Sequence, residues 1–260
     1  MKIIIDGLTV HYKTYGDNTK QPLIFFGGLP MKFFSMEANR IDTDLFKNIF
    51  AKYFYVIIAD NPGFGESDPP PNTWSFKDYA RFFNIFIKQI GISNPIIMGK
   101  SWGGGIALTY AINFPNDIKA LVLVNAATNR DTKRFIVKLG TVIMKSLIKI
   151  ITTKVFPMIL KKYLLNGLLN VPYAKINANT FNKYLPMYNT ILDFKLEIDY
   201  QKLKMPLILV WGKDDFWVPV ENAYKIYKDV KNSKLLLFKG GHLMMEQNPQ
   251  EVIEKIIENL

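Results

Sequence analysis

Short runs of consecutive apolar residues recur towards both ends of the chain. They comprise residues 22–26, 55–59, 95–98, 121–124, 205–211 and 235–238. The runs lack the alternation of a half-exposed strand, so they predict strands of a parallel sheet that is covered on both faces. Near the N-terminus, Asp6-Gly7 lies between alternating residues and predicts a hairpin turn.

Residues 129–200 show no comparable strand pattern and predict helices instead. Breaks between these helices are expected at Pro157, Gly167, Pro172 and Pro186. The chain is therefore predicted to have an α/β fold, with a mostly parallel central sheet, helices on both faces and an inserted helical cap. We assign residues 1–128 and 201–260 to the core, with a closing helix from about Pro249, and residues 129–200 to the cap.

The segment Gly99-Lys100-Ser101-Trp102-Gly103-Gly104 lies between a predicted strand and a predicted helix. A G-x-S-x-G pattern in that context predicts a nucleophile elbow, with the Ser101 hydroxyl displayed at the top of the sheet. The same residues resemble the end of a phosphate-binding loop. That alternative requires a glycine where the chain has Asn94, and a flexible cradle where it has a predicted strand.

An acyl-transfer serine needs a histidine to take its proton and an acid to orient that histidine. His242 follows a predicted strand, whereas His11 lies in the N-terminal hairpin and is expected at the surface. Asp214 and Asp215 follow another strand and are both candidates for the acid. Each residue alone is also explained as a turn or cap residue. The order Ser…Asp…His at strand ends favours catalysis.

Four segments resemble motifs of the α/β-hydrolase superfamily, and the resemblance covers nearly the whole chain. They are residues 22–30, 60–67, 99–104 and 211–219 with Gly241-His242. The resemblance implies a lid over the serine and selects Asp215, not Asp214, as the acid. Some relatives place the acid after the preceding strand, where this chain has Asn125, which is not a carboxylate.

The resemblance also implies an oxyanion hole made of the backbone amides of Leu29 and Trp102. Gly27 stands where the family usually has a histidine that braces this loop. We still expect a formed hole, and the sequence leaves open whether Gly27 loosens the loop and lowers activity. Lys100 is expected to extend along the surface rather than to approach His242.

The nucleophile type narrows the predicted chemistry. Related dehalogenases and epoxide hydrolases carry aspartate at the elbow, whereas this chain carries Ser101. A serine forms an acyl-enzyme, which favours hydrolysis of an ester, a thioester or a carbon–carbon bond next to a carbonyl. The alternatives are a ligand-binding receptor on a hydrolase scaffold with slow turnover, and a lyase or cofactor-free peroxidase that uses the same three residues.

Composition is consistent with a globular enzyme, since 49% of the 260 residues are apolar. The absence of cysteine excludes disulfides and thiolate metal sites. With two histidines in the chain, we predict neither a metal nor a cofactor. The first apolar run ends at Asp6, which is too early for a signal peptide. No apolar stretch approaches the ~18 residues of a membrane span, so a cytoplasmic protein is expected.

The positive charge is concentrated in the predicted cap. Residues 130–200 contain twelve Lys or Arg against four Asp or Glu, within a net charge of +11. A basic helical face there comprises Arg134, Lys138, Lys145 and Lys149. It is interpreted as a solvated face or as a docking site for an anionic membrane surface or an acidic carrier protein. No recognition module for nucleic acid is found.

Apolar cap residues are predicted to pack the cap or to line an acyl pocket. They are Phe156, Met158, Ile159, Leu164, Phe181, Leu185, Met187 and Tyr188. We therefore expect a small-molecule ester with an uncharged or apolar acyl group as the substrate.

Overall fold

A central sheet organises the protein. The computed structural model describes residues 1–29, 46–128, 146, 157–169, 172–176, 183, 196 and 198–260. Within these residues, eight strands form one sheet in the order β1-β2-β4-β3-β5-β6-β7-β8. The strands are β1 Lys2–Ile5, β2 Leu8–Tyr15, β3 Pro22–Phe26, β4 Tyr55–Ala59, β5 Ile96–Lys100, β6 Ala120–Val124, β7 Leu207–Gly212 and β8 Ser233–Phe238.

The sheet is mostly parallel, as predicted. Strands β3 to β8 pair in parallel, and the first two strands pair antiparallel. Asp6 and Gly7 join β1 to β2 with positive φ angles of 48° and 79°, which is the geometry that a two-residue hairpin turn requires. The predicted hairpin is therefore confirmed.

Helices cover both faces of the sheet, which confirms the predicted α/β fold class apart from its inserted cap. They are α1 Phe76–Gln89, α2 Trp102–Asn113, α3 Met158–Leu169, α4 Glu221–Asp229, α5 Met244–Gln247 and α6 Pro249–Asn259. Successive side chains of a strand point to opposite faces. Ile97 of β5 accordingly packs in the cluster that includes α1, α2 and α4. Its neighbour Met98 packs in the cluster that includes α5, α6 and residues 46–54.

The predicted cap is described only in part. Helix α3 begins directly after Pro157, and a short 3-10 turn, Tyr173–Lys175, follows Pro172. The predicted break at Gly167 is wrong, because α3 continues through it; one glycine costs a helix only about 1 kcal/mol. The division into core and cap stays a prediction.

Within α3, Leu164 packs against the main core cluster. Ile159 is 69% exposed and therefore does not line a covered pocket. The four residues of the predicted basic face lie outside the described residues, as do Phe156, Phe181, Leu185, Met187 and Tyr188. Anionic docking therefore stays a prediction. In the part of the chain that the structure describes, no helix is both long and apolar enough to cross a bilayer.

Candidate active site

Ser101 occupies a sharp turn between β5 and α2. Its φ angle is 52°, a conformation that is uncommon for residues other than glycine. The turn is held to the next strand, since the Ser101 amide donates to the Val124 carbonyl at 3.0 Å. A side chain on Gly103 would overlap the carbonyl oxygens of Phe26 and Gly27. A small residue is therefore required beside the serine, as the elbow motif predicts.

The structure brings Ser101, His242 and Asp215 together. The Ser101 Oγ lies 2.9 Å from Nε2 of His242. The Nδ1 of the same ring lies 2.7 Å from Oδ2 of Asp215. Because the carboxylate accepts, Nδ1 carries the proton and Nε2 is free to accept from the serine hydroxyl. This arrangement prepares the serine for nucleophilic attack.

Asp215 is fixed by its own loop. Its side chain is fully buried, and Oδ1 accepts hydrogen bonds from the amides of Trp217 at 2.8 Å and Val218 at 2.9 Å. The indole of Trp211 at the end of β7 donates to the Val218 carbonyl at 2.9 Å. Asp214, the other candidate from the sequence, is exposed. The structure therefore places Asp215 and not Asp214 against the histidine.

Asn125 joins this group, although the sequence analysis considered it only as a position lacking a carboxylate. It is fully buried, and its Nδ2 donates to Oδ2 of Asp215. Its Oδ1 accepts from the Gly212 amide at 3.3 Å. In retrospect, the position of Asn125 indicates its contact with Asp215, because Asn125 follows β6 and Asp215 follows the neighbouring strand β7. Asn125 thus helps to hold the acid in the orientation that faces His242.

We expect Asn125→Leu to lower ester turnover by about 10- to 100-fold. A hydrogen bond to a charged group contributes about 1.5–3 kcal/mol, and each 1.4 kcal/mol lost from the transition state is about tenfold in rate. The measurement is kcat on a p-nitrophenyl ester, with thermal unfolding to verify folding. Asn113→Leu, at the exposed last residue of α2, is the matched control. An unchanged kcat in the Asn125 variant would show that the contact has no role in turnover.

The loop after β3 lies against the nucleophile. A Cβ on Gly28 would come within 2.9 Å of the Ser101 Cβ, so the neighbouring Leu29 is close to the elbow. Trp102 is the first residue of α2, where the backbone amide has no partner within the helix. These are the two amides that the sequence analysis assigns to an oxyanion hole, and that assignment stays a prediction.

The side chain of Trp102 fills the space behind the elbow. It is buried, and its ring centroid lies 5.3 Å from that of Phe64, 5.3 Å from that of Phe76 and 5.1 Å from that of Tyr79. Burial raises the pKa of Tyr79 well above its ordinary value. The phenol therefore stays neutral and donates to the Pro62 carbonyl at 3.0 Å. These contacts make the start of α2 a rigid support for the serine.

Comparison with known proteins agrees with the fold described above. The family model for the alpha/beta hydrolase fold matches residues 21–141, which include the elbow. The chain has the α/β-hydrolase fold. A thermophilic esterase from Thermogutta terrifontis has the same fold, with a TM-score of 0.72 at 16% identity over 99% of this chain and 96% of the esterase. That likeness shows the fold alone.

Two relatives that cover nearly the whole chain are hydrolases by name. An uncharacterized hydrolase of Bacillus subtilis is 24% identical over 99% of this chain and 96% of its own length. The 2-hydroxy-6-oxononadienedioate/2-hydroxy-6-oxononatrienedioate hydrolase of Burkholderia vietnamiensis is 24% identical over 100% of this chain and 94% of its own length. The comparisons thus support hydrolysis as the class of reaction.

Asn61 contacts the loop in which Gly27 stands in place of the histidine that the resemblance to α/β hydrolases implies. The Asn61 side chain is buried, and its Nδ2 donates to the Gly27 carbonyl at 3.2 Å. The side-chain amide of Asn61, in the segment after β4, therefore braces the loop whose looseness the sequence left open.

The expectation that Lys100 extends along the surface is wrong. Its side chain is 9% exposed, and Nζ forms an ion pair with Oε1 of Glu246. The phosphate-loop interpretation also fails, because Lys100 ends β5 and the residues before it form the strand itself. Lysine side chains are mostly exposed in proteins, so the residue type alone predicts an exposed side chain. Lys100 lies on the same face of β5 as buried apolar side chains, and this position would have indicated a buried lysine.

The remaining predicted residues lie elsewhere. His11 lies in β2, which two other strands separate from β5. In the described ranges, no three His, Asp or Glu side chains are grouped so that they would hold a metal ion. The expectation that the protein needs neither metal nor cofactor stays a prediction.

Proposed function

We propose that the protein is a serine hydrolase that cleaves carboxylic esters through an acyl-enzyme on Ser101. The proposal depends on a continuous chain of hydrogen bonds, from Ser101 to His242 at 2.9 Å and from His242 to Asp215 at 2.7 Å. The Ser101 hydroxyl therefore has a general base within hydrogen-bond reach.

In the proposed reaction, Ser101 Oγ attacks the ester carbonyl carbon while its proton passes to Nε2 of His242. The imidazolium that forms is stabilised by the carboxylate of Asp215 and next gives the proton to the leaving alcohol. The carbon–oxygen bond of the ester then breaks and leaves an acyl group on Ser101. Water, activated by the same imidazole, hydrolyses that acyl group and restores the serine.

Charge develops on the carbonyl oxygen in both halves of this reaction. The amides of Leu29 and Trp102 are assigned to stabilise it, because one lies in the loop against the elbow and the other begins α2. A single donor of this kind contributes about 3–4 kcal/mol to lowering a barrier. Asn61, through Gly27, is assigned a role in keeping the first of these amides in place.

We expect acyl groups without charge to be preferred. Leu29 and Val218 are partly buried apolar residues beside the site that pack on the main core cluster, and the predicted cap is rich in apolar residues. A panel of p-nitrophenyl esters, matched in leaving group and varied in acyl chain and charge, measures this preference through kcat/KM. Higher kcat/KM for apolar acyl groups is the expected result, and activity confined to small charged acids would contradict it.

The same panel tests the proposed reaction. Mixing enzyme with excess ester is expected to release p-nitrophenol in a burst that does not exceed one equivalent, followed by steady turnover. A burst without turnover would instead indicate the receptor alternative, in which the serine acylates but water does not complete the cycle. Absence of both would contradict an acyl-enzyme.

A carbon–carbon hydrolase is the second candidate. The observation that favours it is the likeness to the Burkholderia vietnamiensis hydrolase, whose named substrate is a keto dicarboxylic acid without an ester group. In hydrolysis of this kind, the carbon–carbon bond next to the ketone breaks. The ketone carbon gains the hydroxyl of water and becomes a carboxylic acid, and the other carbon gains the proton. Faster cleavage of a vinylogous keto acid than of any ester in the panel would support this candidate.

A further inference from the structure

Lys100, the residue before the nucleophile, faces an apolar layer. Ile96 and Met98 of β5 pack in one buried cluster with Met244 and Met245 of α5. Because side chains alternate along a strand, Lys100 is the next residue in the row of Ile96 and Met98. An apolar side chain would fill this position without the cost of desolvating an ammonium group.

The partner of this lysine is equally buried. Glu246 pairs with Lys100 through Oε1, and its side chain is 3% exposed. Its second carboxylate oxygen is buried with no hydrogen-bond partner in the described part of the chain. Attraction within a buried ion pair only partly offsets the loss of hydration, so such a pair is weak evidence for stability. A role other than stabilising the core is therefore indicated.

The pair connects the two segments that carry the reacting groups. Lys100 directly precedes Ser101, and Glu246 lies in α5, four residues after His242. The acid loop and the histidine loop are joined by backbone, since the Asp214 amide donates to the Gly240 carbonyl at 3.0 Å. The ion pair joins the loop that carries the histidine to the elbow that carries the serine. It takes no part in proton transfer.

We propose that the Lys100–Glu246 ion pair is a positioning device that keeps Nε2 of His242 within reach of Ser101 Oγ. The inference rests on the proposed function. The Ser101–His242 hydrogen bond is lost whenever the serine is acylated, because Oγ then carries no proton. The ion pair persists through the acyl-enzyme, so the imidazole stays in place for the attacking water. Lys100 and Glu246 are positioning residues and do not contact the reacting atoms in this account.

The test compares a double apolar variant with its singles. Lys100→Met alone and Glu246→Leu alone each remove one member of the buried ion pair and leave the other charge buried, so each is expected to destabilise the fold. The double variant Lys100→Met/Glu246→Leu removes both charges and is expected to unfold at or near the wild-type temperature. Its kcat, and its rate of labelling by a fluorophosphonate, are expected to fall by about 10- to 100-fold, the size of effect that a small misplacement produces. We expect KM to change by less than about threefold, because a misplaced imidazole weakens stabilisation of the transition state and leaves binding of the ester unchanged.

Controls separate this inference from the proposed function. The exposed pair Lys88–Asp117, at 3.5 Å, is neutralised in the same way by Lys88→Met/Asp117→Leu, which is expected to leave labelling and kcat unchanged. If the wild-type protein is not labelled at all, the proposed function fails. If the wild type is labelled and the folded double variant reacts at the wild-type rate, only the positioning inference is overturned.

An isosteric variant keeps the test decisive if the double variant does not fold. Glu246→Gln retains the shape of the side chain and an oxygen that accepts from Lys100, but removes the charge. We expect it to label several-fold more slowly than wild type with an unchanged KM. A wild-type labelling rate in folded Glu246→Gln would overturn the inference.

Discussion

Ser101→Ala is expected to lower ester turnover by about 10⁴- to 10⁶-fold, because the three residues of a catalytic triad act as a unit. The alanine removes the only atom that forms the acyl bond and leaves the rest of the site intact. Folding is expected to be retained, since the φ angle of 52° at this position is strained for any residue with a side chain and alanine adds no bulk.

The control for this variant is Ser93→Ala. Ser93 is exposed in the turn before β5, and its replacement is expected to leave kcat and KM unchanged. Steady-state kinetics on the best p-nitrophenyl ester, with active-site titration of the wild type, gives the comparison. Turnover by Ser101→Ala within tenfold of wild type would mean that another group is the nucleophile.

Asp215→Asn is expected to have the second largest effect, a loss of about 10⁴-fold in kcat. The asparagine keeps the size of the side chain but removes the charge that stabilises the imidazolium. It also allows the ring to adopt the tautomer in which Nε2 carries the proton and no longer accepts from Ser101. Fluorophosphonate labelling is expected to slow in parallel, because the same proton transfer activates the serine.

Asp214→Asn is the matched control for Asp215→Asn. The two residues are adjacent, and both substitutions replace a carboxylate with an amide. Asp214 is exposed, and among the contacts described its carboxylate accepts only a 3.3 Å hydrogen bond from the Gly240 amide. We expect less than about a threefold effect on kcat, the size usual for an exposed polar contact. Equal losses in both variants would contradict the assignment of Asp215 as the orienting acid.

Local patterns were sufficient to predict the frame of the site. The apolar run before Gly99 and the small residues after Ser101 predicted β5, the elbow and α2, because these features depend on near neighbours. The choice of Asp215 over Asp214 came from the family resemblance, since both aspartates follow β7 with the same local character. The structure then placed the buried Asp215 against His242.

Contacts between distant segments could not be predicted in the same way. The partner of Lys100 is Glu246, which lies 146 positions further along a chain whose local pattern gives no indication of a buried carboxylate. The role of Asn125 depends on the pairing of β6 with β7, which a single sequence does not specify. Gly167 lies inside α3 because one unfavourable residue does not end a helix whose other residues favour it.

The most direct measurement of the central claim is the identification of the residue that reacts with a fluorophosphonate probe. The protein is treated with the probe at neutral pH, digested and analysed by tandem mass spectrometry. We predict one equivalent of label on the peptide that contains Ser101, and no label in Ser101→Ala. Label on another residue, or full ester turnover by protein that the probe has not modified, would contradict the claim that Ser101 is the activated nucleophile.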